Sequence, residues 1–315
     1  MCLIKHELKN CVGYLNKRND VIFLGTRSCP YVNLVYFGGD IQDYEYNMHQ
    51  NNFSNQYIKW NLENTAQNLY KRFTNQFPNC HPHIWIIRAS HWLPSSIACY
   101  NNFLHFTKSG VPLYENEEIS KITGMQHLSY VLSNAVEQLL NFDKDIQCQI
   151  TDIPMRLVGF SKGCCVLTEL IYEFSVLCHS EKVPNNRVKE ISTQIMEFCR
   201  NLTDIYWLDS GHSGTYHHWP VLVNYLSLLN PGSCPVIHVH ASPYQLANPL
   251  RPQKSTDFHK FLDILSNLNL PFKKQLHFMP DNFGKSESSS TSFRSRNEEV
   301  CSLSSHFEIL NHFVF

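Results

Sequence analysis

Short runs of apolar residues alternate along the chain with longer stretches in which apolar residues recur at helical spacing. The runs are typical of strands buried on both faces of a sheet, and the stretches are typical of helices with one apolar face. The predicted strands are Val21–Gly25, Asn33–Phe37, His83–Arg88, Met155–Gly159, Ile205–Leu208, Val236–His240 and Lys274–Met279. The predicted helices are Ser54–Phe77, Ile119–Phe142, Lys162–Cys178, His217–Leu229, Thr256–Leu268 and His306–Phe313. This alternation predicts an α/β fold with a mostly parallel, doubly wound sheet flanked by helices.

The alternation is interrupted once, by the segment 284–305, which reads GKSESSSTSFRSRNEEVCSLSS. This Ser-rich, charged segment has almost nothing to bury, so we expect a flexible insertion within a single domain that spans residues 1–315. Helical spacing resumes at His306, and we expect His306 to lie on the loop that leads into the last helix.

Composition and charge narrow the classes of function. Hydrophobic residues make up 43% of the 315 positions, which excludes a wholly disordered chain. Lys and Arg number 26 against 27 Asp and Glu, so the chain lacks the basic excess that nucleic-acid binding requires. No uncharged apolar stretch reaches the ~18 residues that cross a bilayer, and we expect no transmembrane segment. The 12 cysteines form no CxxC pair, so we expect thiols rather than disulfides or a zinc site.

The strongest candidate for chemistry is a GxSxG sequence, Gly159 to Gly163, between a predicted strand and a predicted helix. Small residues on both sides of Ser161 let the backbone fold closely around it in a tight strand-to-helix turn. The hydroxyl is then presented above the sheet, and the N–H of Lys162 at the helix N-terminus can stabilise an oxyanion. We therefore expect Ser161 to be a nucleophile; a tight turn without chemistry is the alternative.

A serine nucleophile needs a base and an orienting carboxylate, and in a fold of this type both follow it in the chain. Of the 17 histidines, His306 is the predicted base because it comes after the last predicted strand. Asp209 is the predicted acid, because it ends the strand that follows the nucleophile, at the carboxyl edge of the sheet. Asp257 is the alternative acid, in a predicted helix further along the chain.

Two further groups of residues have candidate roles. Gly38 and Gly39 follow a predicted strand, and their N–H groups are predicted to form an oxyanion hole with that of Lys162; an ordinary turn is the alternative. Asp209 could instead bind a metal together with histidines of the second half of the chain, but no complete ligand signature is present. Those histidines are His212, His217, His218, His238 and His240. We therefore expect no metal and no cofactor.

Five segments resemble a known family: VYFGGDIQDYE, HIWIIRAS, MRLVGFSKGC, YWLDSGHSG and HFEIL. From about Val21 to the C-terminus, the chain resembles a poorly characterised eukaryotic family of mitochondrial α/β-hydrolase-like proteins. The resemblance implies an α/β-hydrolase fold, a nucleophile at Ser161, an acid and a base at Asp209 and His306, and a mitochondrial address. The first 20 residues hold one Arg and no Ser, so they show no clear transit peptide, and a cytoplasmic location is the alternative.

Together these features predict a serine hydrolase of small-molecule acyl esters or thioesters, with Ser161, Asp209 and His306 as its triad. Aromatic residues of the loop 91–112 are predicted to wall an acyl pocket: Trp92, Phe103 and Phe106. The alternative is a catalytically silent, hydrolase-like scaffold that binds a protein partner in mitochondria. This alternative is motivated by Lys162, a bulky cation expected at the mouth of the site, and by the Ser-rich segment before His306.

Overall fold

The computed structural model describes residues 2–114, 122–180, 193–212, 214, 217–248, 251–279 and 302–315, and its centre is an eight-stranded sheet. The strands are, in chain order, β1 (Ile4–Val12), β2 (Arg18–Gly25), β3 (Val32–Phe37), β4 (Pro82–Ile87), β5 (His91–Leu93), β6 (Ile97–Cys99), β7 (His105–Phe106), β8 (Pro112–Leu113), β9 (Met155–Phe160), β10 (Leu202–Leu208), β11 (Val236–Ala241) and β12 (Phe272–Leu276). The strands β5 to β8 form two small hairpins outside the sheet.

The sheet has the order β1-β2-β4-β3-β9-β10-β11-β12. Its second strand, β2, runs antiparallel to both β1 and β4, and every pairing from β4 to β12 is parallel. This order, with an antiparallel second strand, is the topology of the α/β-hydrolase fold. The predicted fold class is therefore confirmed.

Helices cover both faces of the sheet. They are α1 (Glu45–His49), α2 (Asn52–Asn55), α3 (Leu62–Gln76), α4 (Gly124–Phe142), α5 (Cys164–Ser180), α6 (Thr193–Arg200), α7 (Val223–Leu226), α8 (Pro243–Leu246), α9 (Pro252–Asn267) and α10 (Leu303–His312). Neighbouring strand residues point to opposite faces: Val35 packs in the core with α4, α5 and α9, and Tyr36 packs in the core with α3 and α10. Burial on both faces explains why the strands read as continuous apolar runs.

Two properties of the described residues bear on the expectations from composition. No helix in this part of the chain is long and apolar enough to span a membrane. All the cysteines described are free thiols. Cys164 lies at the start of α5, fully buried, and its thiol donates a hydrogen bond of 3.1 Å to the carbonyl of Gly159.

A buried carboxylate joins α5 to the N-terminus of α4. Glu173 on α5 is fully buried and accepts hydrogen bonds from the N–H groups of Thr123 (2.9 Å), Gly124 (2.8 Å) and Met125 (2.6 Å). The first N–H groups of a helix have no partner within the helix, and the positive end of the helix dipole favours an anion there. Glu173 therefore caps α4 from a neighbouring helix.

The C-terminal segment, which carries His306, is anchored to α3. Arg72 on α3 donates hydrogen bonds to the carbonyl oxygens of Leu310 (2.6 Å) and Phe313. Gln76 exchanges two hydrogen bonds with the backbone of Phe315, at 3.0 and 2.8 Å. Because α3 itself packs on β2 and β4, these contacts fix α10 relative to the sheet.

The structure corrects several predicted elements. The pattern of apolar runs does not predict the edge strand β1, because charged residues alternate along its exposed side. The predicted helix Ser54–Phe77 is divided at Asn61, whose side chain accepts the N–H of Asn64 (2.7 Å) and caps α3. The predicted helix His217–Leu229 is reduced to α7, because its first residues make tertiary contacts instead: Leu222 N–H, for example, donates to the hydroxyl of Tyr172 (3.2 Å).

The predicted insertion 284–305 lies mostly outside the described residues, which resume at Ser302. Its last residues are not a loop, because Ser302 caps α10 by accepting the N–H of Ser305 (3.2 Å) and the helix begins at Leu303. His306 accordingly lies within the first turn of α10 and not on the loop before it. The extent of a single domain over 1–315 stays a prediction.

We expect Glu173→Gln to lower the free energy of unfolding by about 1–3 kcal/mol, because the amide loses the charge and turns donor hydrogens towards helix N–H groups. Urea denaturation measures this loss. Glu197→Gln, at an exposed position of α6, is the matched control and should change the free energy by less than about 0.5 kcal/mol. Equal values for the two variants would contradict the capping role.

Candidate active site

Ser161 lies directly after β9, in a single turn of 3-10 helix that leads into α5. Its φ is 51°, in the left-handed region that costs energy for any residue with a side chain. A Cβ on Gly163 would lie 2.0 Å from the carbonyl oxygen of Phe37, and a Cβ on Gly159 would lie 2.7 Å from Leu167 Cδ1. Both glycines of the GxSxG sequence are therefore required by close packing of this turn.

Asp209 lies at the end of β10, the strand next to β9, and its side chain is fully buried. The carboxylate receives hydrogen bonds from both the N–H (2.6 Å) and the hydroxyl of Ser242, and its Oδ2 lies 2.7 Å from His306 Nδ1. The backbone is held as well, because the N–H of Asp209 donates to the carbonyl of His240 (2.9 Å). A buried carboxylate is tolerated when several donors converge on it, and these donors also fix its orientation.

His306 is buried, and its ring is held by contacts of two kinds. An ionised carboxylate can only accept, so the imidazole donates its Nδ1–H to Asp209, and Nε2 is the nitrogen left for a second partner. The rings of Phe160 and Tyr244 pack against the imidazole, with centroid separations of 4.5 and 4.4 Å. These contacts set both the tautomer and the direction of Nε2.

Ser161 and His306 line the same cavity, which has a volume of about 210 Å³. Its apolar lining comes from Ile41, Phe53, Ile97, Leu303 and Phe307, and its polar lining includes Asp40, His212, Gln245, Arg251 and Lys254. The Ser161 hydroxyl and His306 share no hydrogen bond in the described part of the chain; such contacts commonly close only when substrate binds. The arrangement places a hydroxyl and an oriented imidazole in one cavity.

The alternative acid, Asp257, is engaged elsewhere. Its Oδ1 lies 3.4 Å from His217 Nδ1 and accepts a hydrogen bond from Gln253 (2.6 Å), and its Oδ2 accepts the N–H of His218 (3.1 Å). Of the two aspartates left open by the sequence, Asp209 is the one in contact with His306.

The backbone groups predicted to form an oxyanion hole are only partly available. The N–H of Gly39 donates to the side chain of Gln42 (2.9 Å), so it is directed away from the cavity, and the carbonyl of Gly38 accepts from the Tyr100 hydroxyl (3.0 Å). A Cβ on Gly39 would lie 2.8 Å from Ser161 Cβ. This close approach to Ser161 explains why a glycine is needed at position 39. Its N–H, which is held by Gln42, is not available for the predicted donor role.

Lys162 does not place its charge at the mouth of the site. The residue is fully buried, and its ammonium group donates to the carbonyl of Gly110 and lies 5.3 Å from the ring centroid of Phe106. The predicted aromatic wall is likewise wrong. Trp92 lines a neighbouring cavity of about 200 Å³, Phe103 is buried in the core, and Phe106 covers Lys162.

The histidines of the metal alternative are distributed over separate contacts. His212 stacks on His218 with centroids 4.3 Å apart, His238 Nε2 lies 2.8 Å from Asp204, and His240 Nδ1 lies 3.0 Å from His277 Nε2. Burial lowers the pKa of His218 to about 2, with the neighbouring His212 acting in the same direction. Within the described ranges, no group of three or more His, Cys, Asp or Glu side chains is arranged to hold a metal ion.

Two charged residues of the cavity lining, the buried Lys254 and the half-buried Asp40, have displaced pKa values. Burial lowers the pKa of Lys254 to about 8, and the charge of Arg251 adds to this effect, while Asp209 and Asp40 oppose it. Burial raises the pKa of Asp40, and Lys162 opposes this rise. Lys254 is thus a cation that can change its protonation state close to neutral pH.

Three residues of the site were not singled out in the sequence: Ser242, Tyr244 and Phe160. The sequence contains a signal for the position of Ser242. In the parallel pairing of β10 with β11, Leu208 lies opposite His240, so the residues that follow each strand meet at the same edge of the sheet. A polar residue directly after β11 therefore falls beside Asp209. The ring contacts of Phe160 and Tyr244 with His306 have no comparable signal, because they depend on where α10 docks.

The sequence matches the C2orf69 family over residues 7–154 and 142–271. Among curated relatives, it is similar to "Mitochondrial protein C2orf69" of Homo sapiens, with 28% identity over 79% of this chain and 70% of the relative. It is also similar to "Mitochondrial protein C2orf69 homolog" of Danio rerio, with 27% identity over 89% of this chain and 72% of the relative. The names of these relatives confirm the mitochondrial location implied by the resemblance.

Solved structures also resemble the chain. One is the siderophore hydrolase EstA from Aspergillus nidulans, with a TM-score of 0.44 and 11% identity, covering 87% of each chain. Another is the carboxylesterase Cest-2923 from Lactobacillus plantarum, with a TM-score of 0.43 and 10% identity, covering 88% of this chain and 82% of the other.

We expect Ser161→Gly to be more stable than Ser161→Ala by about 0.5–1 kcal/mol, because glycine adopts a φ of 51° without the steric cost that a Cβ brings. The larger entropy of glycine in the unfolded chain reduces the difference but does not remove it. Both variants lack the hydroxyl, so the comparison isolates the backbone conformation. Thermal and urea denaturation measure it, and greater stability of Ser161→Ala would contradict a strained turn.

Proposed function

The chain belongs to the C2orf69 family, and from this premise and the geometry of the site we propose that it is a mitochondrial serine hydrolase of ester or thioester substrates. The observation that carries the proposal is the hydrogen bond between His306 Nδ1 and Asp209 Oδ2, in a cavity that Ser161 also lines. Asp209 and His306 lie 97 positions apart in the chain, and both are buried. A buried imidazole oriented by a carboxylate beside a strained serine is the arrangement that activates a hydroxyl.

In the proposed mechanism, His306 Nε2 accepts the proton of the Ser161 hydroxyl as Oγ attacks the carbonyl carbon of the substrate. Asp209 stays ionised and stabilises the imidazolium, which keeps its Nδ1–H directed at Oδ2. The imidazolium then gives its proton to the leaving alkoxide or thiolate, and an acyl-serine remains. Water, deprotonated by His306, attacks the acyl-serine and regenerates the hydroxyl.

The tetrahedral intermediate requires donors for its oxyanion. We assign one donor to the N–H of Lys162, the residue after the nucleophile, which lies in the turn that leads into α5. Gly39 is a poor second donor because its N–H is held by Gln42. We assign the second donor to another backbone N–H of the same loop after β3, where Asp40 lines the cavity.

The acyl part of the substrate fits the apolar lining of the cavity. Phe53 and Phe307 belong to different elements, α2 and α10, and both line it beside the serine. An apolar wall with a few polar groups is typical of a small-molecule site. A cavity of about 210 Å³ favours a short acyl group over a long lipid chain.

The scaffold alternative loses one of its two motives. Lys162 was expected to present a charge at the mouth of the site, where a protein partner would meet it. Instead its ammonium group is buried against Gly110, and it ties the β7–β8 hairpin to the nucleophile turn. The other motive, the Ser-rich segment, lies outside the described residues up to Ser302.

We expect a fluorophosphonate probe to label the folded protein, because a serine activated by an imidazole attacks phosphorus as it attacks a carbonyl. Ser161→Ala should abolish the labelling. Ser95→Ala is the matched control, since Ser95 lines the same cavity and should leave the labelling unchanged. Labelling is measured in gel by fluorescence and localised by peptide mass spectrometry. Labelling that persists in Ser161→Ala would overturn the proposal, as would unlabelled wild type that is shown to be folded.

We expect Asp209→Asn to lower kcat by about 10³–10⁴-fold, because an amide no longer holds the imidazole in the productive tautomer. Asp257→Asn is the matched control. It changes another buried aspartate that hydrogen-bonds to histidine, but it should alter kcat by less than about threefold, because Asp257 has no contact with His306. Steady-state hydrolysis of 4-nitrophenyl esters measures both. A larger loss in Asp257→Asn would assign the acid to that residue.

A further inference from the structure

A buried cation in the cavity has no partner that explains it. Lys254, on the first turn of α9, is only 2% exposed and lines the cavity with Ser161. Its ammonium group makes no hydrogen bond and no ion pair with any residue in the described ranges, and it lies 5.5 Å from the ring centroid of Tyr244. Arg251, just before α9, lines the same cavity from a more exposed position.

Each of the acidic residues around Lys254 accepts a hydrogen bond from another donor. Asp209 accepts from Ser242 and His306, and Asp257 accepts from His218, Gln253 and His217. Asp40, the acid in the cavity lining, accepts the N–H of Ala98 (2.8 Å). None of these carboxylates lies within ion-pair distance of Lys254 among the residues described.

An isolated ammonium group is expensive to bury, since it loses its hydration without gaining an anion. Burial accordingly lowers the pKa of Lys254 to about 8, Arg251 lowers it further, and the charges of Asp209 and Asp40 offset only part of this shift. A second cation beside a buried lysine increases the cost, so packing alone does not account for the pair. An anion bound between the two would remove it.

We propose that Lys254 and Arg251 form an anion-binding subsite, so that the substrate of Ser161 is an ester or thioester carrying a carboxylate or a phosphate. The inference rests on the proposed function, because it describes the substrate of the same serine. The cavity is then divided by chemistry: Phe53 and Phe307 contact the apolar part of the substrate, and Lys254 and Arg251 bind its anionic group.

The first test compares two substrates that differ by one charge, 4-nitrophenyl hydrogen glutarate and 4-nitrophenyl methyl glutarate. We expect the wild type to have the higher kcat/KM for the anionic ester. Lys254→Gln should lower kcat/KM for this ester by about 10- to 100-fold, the value of one charge-assisted hydrogen bond, and should change the neutral ester by less than about threefold. Arg251→Gln should act in the same direction. Lys260→Gln, at an exposed position further along α9, is the matched control.

The second test does not depend on hydrolysis. Calorimetry measures the binding of glutarate and of inorganic phosphate to Ser161→Ala, which keeps the subsite, and to Ser161→Ala combined with Lys254→Gln. Binding that is lost in the double variant supports the subsite, and the anion that binds more tightly identifies its source as carboxylate or phosphate. Circular dichroism and thermal unfolding check each variant for folding, and Lys254→Met replaces Lys254→Gln where the latter does not fold.

The two tests separate the inference from the proposed function. If the anions bind through Lys254 but neither ester is hydrolysed, the subsite stands and the serine-hydrolase proposal falls. If both esters are hydrolysed at rates that Lys254→Gln and Arg251→Gln leave equal, and neither anion binds, the hydrolase proposal stands and the subsite is overturned.

Discussion

The hydrogen bond between His306 and Asp209 is the contact on which the candidate site depends. It joins residues 97 positions apart, one at the carboxyl edge of the sheet and one in the last helix. Asp209 is held in place by β10 and by Ser242 after β11, while His306 is placed by α10, which Arg72 and Gln76 fasten to α3. The site is therefore assembled from the carboxyl edge of the sheet and from a helix that packs on one face of that sheet.

These polar contacts stabilise the fold because the groups that make them are buried and have lost their contacts with water. Asp209, Glu173 and Ser242 are all inaccessible to water, and each has partners that replace the lost hydration. The same requirement makes Lys254 conspicuous, because it is only 2% exposed and its ammonium group has no hydrogen-bond or ion-pair partner in the described part of the chain. Glu173 and Lys254 differ in this respect: the carboxylate of Glu173 accepts three N–H groups of α4, whereas Lys254 lines the cavity without a partner among the described residues.

The turn at Ser161 is built by close packing, which explains why glycine is needed at neighbouring positions. Gly163 approaches the carbonyl of Phe37, and Gly39 approaches Ser161 itself, so β3 and β9 meet where the serine turns out of the sheet. Lys162 contributes its backbone to this turn and sends its side chain away, to the carbonyl of Gly110. The side chain of Lys162 is therefore buried and connects the turn to the β7–β8 hairpin.

The sequence by itself determined a mostly parallel sheet, the positions of its buried strands along the chain and the turn at Ser161, because apolar runs, helical spacing and paired glycines are local signals that survive packing. It also predicted that Asp209 lies at the carboxyl edge of the sheet and that His306 follows the last strand. Only the tertiary structure put Asp209 rather than Asp257 in contact with His306, directed the N–H of Gly39 to Gln42 and the charge of Lys162 to Gly110, and brought Lys254 into the cavity. These outcomes depend on how loops and helices that are distant in the chain pack around the sheet, and such packing leaves no periodic pattern in the sequence.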